Sequence, residues 1–262
     1  MFHGVVNQSL AAVRREPFER SEMVNQLLFG EFFTLIERYK GWLRVVDQHD
    51  NYEGWLDEKL CVLLNDDQAQ WLSIPEVESV ATRLFTAKIE NVAYPIRLCP
   101  GSSLYFYNPT DGSFKIGETS YQTFSQPVDQ PLSTKRETIV ELSKNFINSP
   151  YLWGGRSPYG IDCSGLTQVL FKLVGVQIPR DASQQVNIGK TIDFISMAKP
   201  GDLVFFDDVE GAITHVGMIF SEGSIIHSSG YVKVDRIDHQ GIFSTETKTY
   251  THKLRVIKNL ID

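Results

Sequence analysis

The sequence predicts an α+β fold, in which two small β-barrels precede a larger domain that contains both helices and strands. The length of 262 residues is too great for one ordinary domain and suits two or three. Short apolar segments separated by turn residues occupy the first half of the chain, a pattern typical of small barrels. The second half contains two segments whose apolar residues recur three and four positions apart, as on one face of a helix. We therefore expect domains at residues 1–66, 67–126 and 127–262.

The composition indicates a globular protein and argues against several kinds of partner. Hydrophobic residues make up 42% of the chain and charged residues 22%, which is the balance of a folded domain. The net charge of −7 argues against nucleic-acid binding, because that requires a basic surface. No stretch approaches the roughly 18 consecutive apolar residues of a membrane helix, and the chain starts without a signal-peptide pattern. We expect a cytoplasmic monomer with no nucleic-acid or membrane partner.

The first domain is predicted from short strands and from a repeated Gly-Trp pair. The pairs are Gly41-Trp42, within YKGWLRV, and Gly54-Trp55, within YEGWLDEKL. They resemble the repeated signature of bacterial SH3 domains, which implies an SH3-like barrel over most of residues 20–60. Turn residues separate the β-branched and aromatic segments. The predicted strands are Ser21–Glu31, Phe32–Glu37, Trp42–Val46 and Gly54–Leu56.

Residues 67–125 are predicted to form a second small β module. Gly112 and Gly117 separate the apolar segments Leu104–Tyr107 and Phe114–Ile116 from a stretch of Thr and Tyr. The length and strand density favour a second SH3-like barrel, and a loosely packed connecting domain fits nearly as well. The next segment, Phe124–Ser133, has two prolines and no apolar period, so we expect an extended linker.

Two helices are predicted in the third domain, each with a recognisable start. Thr134 and Glu137 have the spacing of a capping box, and apolar residues follow at helical intervals, which predicts a helix over 134–148. Asp162 is well placed to cap a second helix after a glycine-rich loop. This cap puts Cys163 in the first helical turn.

Cys163 is the candidate nucleophile among the three cysteines. The amides of a first helical turn and the helix dipole favour negative charge, so we expect its thiol to ionise more easily than a free thiol. Cys61 lies in a strand-like stretch and Cys99 precedes a proline, and we interpret both as small buried apolar residues. The three are too few and too scattered for a disulfide framework or a Cys-X-X-Cys zinc site.

A thiol nucleophile needs a base, and two histidines lie downstream in strand-like segments. His215 is part of THVGMIF and His227 part of IIHSS, with the turn Ser221–Ser224 between them. A hairpin would bring both rings to one end of a sheet. His215 could then accept the thiol proton while His227 holds its other ring nitrogen. The remaining histidines are predicted to be surface residues: His3, His49, His239 and His252.

The ordered motifs YLWGG, GIDCSGL, RDASQQ, GDLVFF, THVGMIF and IIHSS closely resemble the catalytic domain of the NlpC-type cell-wall peptidases, which are papain-like cysteine peptidases. The resemblance implies that Cys163 is the nucleophile, that His215 is the base and that His227 orients it. Tyr151, twelve residues before the cysteine, would help the Cys163 amide to stabilise the oxyanion. No cofactor and no metal are implied.

With SH3-like barrels in front, the chain looks like the branch that includes dipeptidyl-peptidase VI. These enzymes cut the γ-D-glutamyl–diamino acid bond of murein peptides with a free N-terminal L-alanine, and they release L-Ala-D-Glu. The resemblance implies that Asp181 binds the substrate ammonium, since an unpaired charge in a cleft is costly. Ala182 stands where the branch frequently has serine. Tyr52, with Tyr39 as the second choice, would wall off the site. Two more substrate contacts are implied, Asp162 and Ser164.

Several other hypotheses keep part of this pattern. A general peptidoglycan endopeptidase or amidase that acts on intact wall, or a lipid acyltransferase, would use the same scaffold. A non-catalytic wall-binding protein would use only the barrels, and the intact Cys-His-His set argues against it. A metal site of Cys163, His215 and His227 is disfavoured, because the nearest pair is twelve residues apart and no HExxH motif is present.

Overall fold

The computed structural model describes residues 2–72, 74, 78–129 and 131–262, and the chain divides into two compact units. The first unit is Met1–Gln130 and the second is Pro131–Asp262. The boundary falls inside the segment Phe124–Ser133, which the sequence predicts to be a linker. Across the described residues, no helix combines the length and the apolar character that spanning a membrane requires.

The first unit begins with an antiparallel sheet of short strands. Its elements are β1 (Phe2–Val6), β2 (Leu10–Arg14), β3 (Met23–Leu28), β4 (Phe32–Tyr39), β5 (Trp42–Asp47), β6 (Glu53–Asp57), β7 (Cys61–Leu64) and the helix α1 (Asp66–Leu72). The strand order is β3-β2-β6-β5-β4-β1-β7. Strands β3 to β6 confirm the four predicted segments, with somewhat different ends. Strands β1, β2 and β7 are not predicted from the sequence, because clear turn residues do not bound their short segments at both ends.

The tryptophans of the two Gly-Trp pairs lie in neighbouring strands of this sheet. Trp42 is the first residue of β5 and Trp55 lies in β6. Gly41 has a φ of +83°, a left-handed turn that side chains other than glycine rarely adopt. At Gly54 a Cβ atom would lie 2.4 Å from Cγ1 of Val13. Each glycine is therefore required for a different reason, one by the turn and one by close packing.

The rest of the first unit forms smaller sheets that share a core with the first. Its strands are β8 (Glu78–Val80), β9 (Phe85–Ile89), β10 (Ile96–Leu98), β11 (Ser103–Tyr105), β12 (Ser113–Ile116) and β13 (Thr119–Thr123), in the orders β10-β9-β13-β12 and β11-β8. The ring of Phe29 packs edge-on against Phe114 at 5.9 Å and against Tyr121 at 5.2 Å between centroids. The two predicted β modules thus pack on common apolar residues. That the second is an SH3-like barrel stays a prediction.

The second unit, which is described throughout, is an α+β domain. Its first elements are α2 (Lys135–Ser143), β14 (Arg156–Ser157), β15 (Gly160–Ile161), α3 (Cys163–Leu173), α4 (Ala182–Gln185) and β16 (Lys190–Ile192). The larger strands follow: β17 (Leu203–Asp207), β18 (Ile213–Ser221), β19 (Ser224–Ser229), β20 (Tyr231–Ile237), β21 (Gly241–Phe243) and β22 (Tyr250–Asn259). They pair in the order β16-β22-β17-β18-β19-β20-β21, and β21 also pairs with β22. This last pairing closes β17–β22 into a six-stranded barrel.

Both predicted helix starts are confirmed in the second unit. The hydroxyl of Thr134 accepts a hydrogen bond from the Glu137 amide at 3.2 Å and caps α2. The α-helix ends at Ser143 and continues as a short 3₁₀ turn, Lys144–Phe146. Helix α3 begins at Cys163 and packs against β18 and β19. The cysteine therefore lies at the end of a helix that contacts the predicted histidine hairpin.

Candidate active site

Cys163 occupies the first turn of α3, directly after its cap. The Asp162 carboxylate accepts a hydrogen bond from the amide of Gly165 at 2.7 Å. A Cβ atom at Gly165 would lie 2.3 Å from the carbonyl oxygen of Gly155, so only glycine lets the helix start pack this closely on the preceding loop. The Cys163 side chain is only 8% exposed. The thiol therefore lies at the N-terminal end of the helix. Close packing of the helix start on the preceding loop fixes its position.

A buried ion pair fixes the loop that precedes the cysteine. The guanidinium of Arg180, which is 1% exposed, donates to both carboxylate oxygens of Asp162 at 3.0 and 2.6 Å. It also donates to the hydroxyl of Ser164 at 2.9 Å. The amide of Gly154 donates to Asp162 as well, at 2.8 Å. Asp162 and Ser164 therefore bond to Arg180 in the interior, and their contact with substrate stays a prediction.

The thiol of Cys163 does not ionise easily in this setting. Burial, and then the nearby Asp162 carboxylate, raise its pKa to about 11, against the smaller opposite effects of Arg180 and of hydrogen bonds from backbone amides. The prediction of an easily ionised thiol is therefore wrong for the free protein. A helix terminus favours the anion, but removal from water costs the anion more.

His215 and His227 lie on the hairpin that the sequence predicts. Strands β18 and β19 meet at the turn, where Ser221 pairs with Ser224. Nε2 of His215 and Nδ1 of His227 are 2.9 Å apart. Gly217 leaves room for this arrangement, because a Cβ atom there would lie 3.0 Å from Cβ of His227. The hairpin therefore links the two rings through a hydrogen bond.

The cysteine reaches this hairpin through the residue after His215. The backbone amide of Val216 donates a hydrogen bond to the Cys163 sulfur. Tyr151 lies close enough for the charge of Cys163 to affect it, and burial, followed by that charge, raises the pKa of its phenol to about 12. The phenol therefore keeps its proton at neutral pH. The structure brings Cys163, His215, His227 and Tyr151 into one site, as the sequence predicts.

His252 packs on His215, and the prediction that it is a surface residue is wrong. The two rings stack with centroids 4.2 Å apart and planes 26° apart. Strand β22 pairs with β17, which pairs with β18, so His252 lies two strands away from His215, across β17. Burial lowers the pKa of His215 well below 6.5 and that of His252 to about 4. Both rings are therefore neutral at pH 7.

Asp235 was not predicted and lies behind the histidine pair. Its Oδ2 is 3.3 Å from Nε2 of His227, and its Oδ1 accepts bonds from the Thr245 amide and hydroxyl, both at 3.1 Å. The residue is 3% exposed. The hydrogen bond from His227, the largest influence, lowers the pKa of Asp235 to about 2. Its segment, KVDRID, has the pattern of an exposed charged strand, so only its position eight residues after His227 could have pointed to it.

The predicted specificity residues lie at the edge of defined elements. Asp181 caps α4 through a capping box with Gln184, and its side chain is half-buried. In the first unit, Tyr52 directly precedes β6, and its amide donates to Asp50 at 2.8 Å. Tyr39 ends β4 and packs edge-on against Trp55 at 6.5 Å. The substrate roles of Asp181 and of either tyrosine stay predictions.

The other thiols and the metal alternative add little to the site. Burial raises the pKa of Cys61 and of Cys99 to about 12 each. Among the described residues, no three His, Cys, Asp or Glu side chains are grouped so that they could hold a metal ion.

Comparison with known proteins identifies two parts of the chain. The NlpC/P60 family matches residues 148–254, a range that contains Cys163, both paired histidines and Asp235. The bacterial dipeptidyl-peptidase SH3 domain matches residues 13–59, which contain both Gly-Trp pairs. The SH3-like and NlpC-type resemblances of the sequence are therefore confirmed.

Two relatives and one solved structure extend this likeness over most of the chain. The chain is 26% identical to a gamma-D-glutamyl-L-lysine dipeptidyl-peptidase of Bacillus cereus, over 79% of this chain and 68% of the relative. It is 29% identical to dipeptidyl-peptidase 6 of Lysinibacillus sphaericus, over 91% and 93%. Its fold is similar to an NlpC/P60 family protein from Bacillus cereus, with a TM-score of 0.81 at 19% identity, covering 99% and 100% of the two chains. The protein is thus a cysteine peptidase that combines a papain-like NlpC/P60 domain with a bacterial dipeptidyl-peptidase SH3 domain.

Proposed function

We propose that the protein hydrolyses the γ-D-glutamyl–diamino acid bond of murein peptides with a free N-terminal L-alanine, and releases L-Ala-D-Glu. The observation that carries the proposal is that His215, linked to His227 at 2.9 Å, lies on the strand whose Val216 amide contacts Cys163. The two relatives named as dipeptidyl-peptidases support the dipeptide-releasing specificity. Such an activity suits the recycling of wall peptides, and a cytoplasmic location suits that role.

His215 accepts the thiol proton as the Cys163 sulfur attacks the carbonyl carbon of the γ-glutamyl amide. Both groups are uncharged beforehand, since burial raises the pKa of Cys163 and lowers that of His215. The amide of Cys163 and the phenol of Tyr151 stabilise the tetrahedral oxyanion. The imidazolium then protonates the departing amine, and a water activated by His215 hydrolyses the thioester.

Substrate selection rests on charge at one end of the peptide. The Asp181 carboxylate, at the start of α4, pairs with the free ammonium and sets cleavage two residues from that end. Tyr52 blocks longer stems that are joined to glycan. Asp162 and Ser164 line the substrate on the loop that Arg180 holds.

The proposal is tested with L-Ala-γ-D-Glu-meso-diaminopimelate and with the same peptide acetylated at its N-terminus. We expect rapid cleavage of the free peptide and little of the acetylated one, because acetylation removes the charge that Asp181 pairs. Cys163→Ala should lower turnover by at least about 10³-fold. Cys61→Ala is the matched control, since no catalytic or substrate-binding role is proposed for this thiol, and it should keep full activity.

Each other outcome points to a different function. Equal cleavage of both peptides would contradict selection of the free amine. Cleavage of intact wall without cleavage of either peptide indicates a general endopeptidase. Full activity of Cys163→Ala would remove this residue as the nucleophile, and inactivity on every substrate would favour a wall-binding protein.

A further inference from the structure

We propose that Asp235 is a positioning residue that fixes which nitrogen of His227, and through it which nitrogen of His215, carries the proton. A series of contacts joins the carboxylate to the thiol. Asp235 contacts His227, His227 contacts His215, and Cys163 contacts the amide of Val216, the residue after His215. The kinetic part of this inference rests on the proposed function, whereas the positions of the protons do not.

The first step concerns the carboxylate. An ionised carboxylate only accepts hydrogen bonds, and Asp235 stays ionised because its pKa is lowered to about 2. Two donors of Thr245 occupy its Oδ1, which leaves Oδ2 to face Nε2 of His227 at 3.3 Å. Nε2 of His227 must therefore carry a hydrogen in order to donate.

The second step passes this constraint to His215. A neutral imidazole has one donor nitrogen and one acceptor nitrogen, so in the neutral ring of His227 a hydrogen on Nε2 makes Nδ1 the acceptor. It lies 2.9 Å from Nε2 of His215, which must then be the donor. Nδ1 of His215 is left without a proton, and this nitrogen can act as the base for Cys163.

The bond between the two rings does not select this arrangement by itself. If both protons moved to the Nδ1 atoms, His227 would donate to His215 across the same 2.9 Å. Nδ1 of His215 would then carry a hydrogen and could not accept the thiol proton. Only the first arrangement satisfies Asp235, so the carboxylate selects the arrangement that can work as a base.

The inference predicts that Asp235→Asn is more harmful than Asp235→Ala. Thr245 supplies two donors on one side of the residue, so the oxygen of an asparagine would turn toward Thr245 and its NH₂ toward His227. That NH₂ is a donor and would force the inactive arrangement, whereas alanine leaves both arrangements available. A change of tautomer in another triad costs about 10⁴-fold in kcat. We therefore expect a loss of kcat of about 10³- to 10⁴-fold in Asp235→Asn and about 10- to 100-fold in Asp235→Ala, with KM little changed.

The proton positions can be observed directly by ¹⁵N NMR of histidine-labelled protein. In the wild type at pH 7, we expect His215 and His227 to carry their protons on Nε2, and Asp235→Asn should move both protons to Nδ1. Asp238→Asn is the matched control, because the Asp238 carboxylate accepts a hydrogen bond from the hydroxyl of Tyr250, at 2.5 Å. This variant should keep the wild-type signals of His215 and His227 and the wild-type activity.

Two results would overturn the inference. One is a wild-type spectrum with the proton of His215 on Nδ1, which tests the inference even if both Asp235 variants fail to fold. The other is a folded Asp235→Asn that keeps the wild-type tautomers or is at least as active as Asp235→Ala. An Nε2 spectrum combined with full activity of Cys163→Ala would instead preserve the proton positions and refute the proposed function.

Discussion

The site contains two buried aspartates, Asp162 and Asp235, whose hydrogen-bond donors are of different kinds. Asp162 is surrounded by donors that cannot lose their protons near neutral pH: the guanidinium of Arg180 and the amides of Gly154 and Gly165. Asp235 bonds on one side to Thr245 and on the other to a titratable ring, His227. A carboxylate with only permanent donors stabilises the fold, whereas one that faces an imidazole can also decide where protons lie. We therefore expect changes near Asp162 to alter stability first and changes near Asp235 to alter turnover first.

The largest effect on stability is expected for Arg180→Met. The substitution leaves the Asp162 carboxylate buried without its counter-ion, and breaking a buried pair in this way costs about 3–5 kcal/mol. Denaturant unfolding of the second unit measures the loss. Lys144→Met is the control, because Lys144 pairs with Glu141 on the surface of the same unit, and it should lose less than about 1 kcal/mol. Unchanged stability in Arg180→Met, with only turnover reduced, would break the comparison.

A smaller change in stability but a clear loss of turnover is expected for Gly217→Ala. The new methyl group would lie 2.7 Å from Cδ1 of Ile225 and 3.0 Å from Cβ of His227. Overpacking of this kind costs about 1–3 kcal/mol, and the ring of His227 would shift away from His215. Adding Ile225→Val removes the closest atom and should restore part of the activity. A Gly217→Ala enzyme with wild-type kcat would show that the histidine region tolerates displacement.

Acid should weaken the histidine region. The pKa values of His215 and His252 lie below 6.5 in the folded protein, so the unfolded chain binds more protons and stability falls as pH falls below about 6.5. The pKa of Asp235, about 2, has the same sign, but its contribution is lost only below about pH 4. Thermal melts between pH 7.5 and pH 5 should therefore show a declining Tm that comes from the histidines.

The smallest effect is expected for His252→Phe. A phenyl ring can keep the stacking on His215 and cannot titrate, so kcat at pH 7.5 should change by less than about threefold. The decline of Tm between pH 7.5 and pH 5 should become smaller than in the wild type, because one of the two histidines is gone. A decline as steep as that of the wild type would show that His252 contributes nothing to the acid sensitivity.

The parts of the site that the sequence predicts are those built from neighbouring residues. Asp162 caps the helix that begins at Cys163, and a four-residue turn joins the strands of His215 and His227. Capping and hairpin formation depend on residues a few positions apart, so the local pattern is sufficient.

The remaining parts depend on strand order and burial, which the local pattern does not contain. His252 stacks on His215 across β17, which lies between β18 and β22. Asp235 reaches His227 across the pairing of β19 with β20. The pKa of Cys163 follows the same rule, since the helix start is local whereas the burial that outweighs it depends on the whole domain.

Because the Cys163 thiol is protonated, we expect the resting protein to be less sensitive to oxidation. Peroxides and alkylating reagents react with the thiolate rather than with the thiol. All three cysteines have raised pKa values, about 11 for Cys163 and about 12 for Cys61 and Cys99. The resting protein should therefore resist such reagents at neutral pH. In the proposed mechanism, Cys163 becomes vulnerable only when His215 removes its proton, at the moment when a substrate carbonyl is present to react with it.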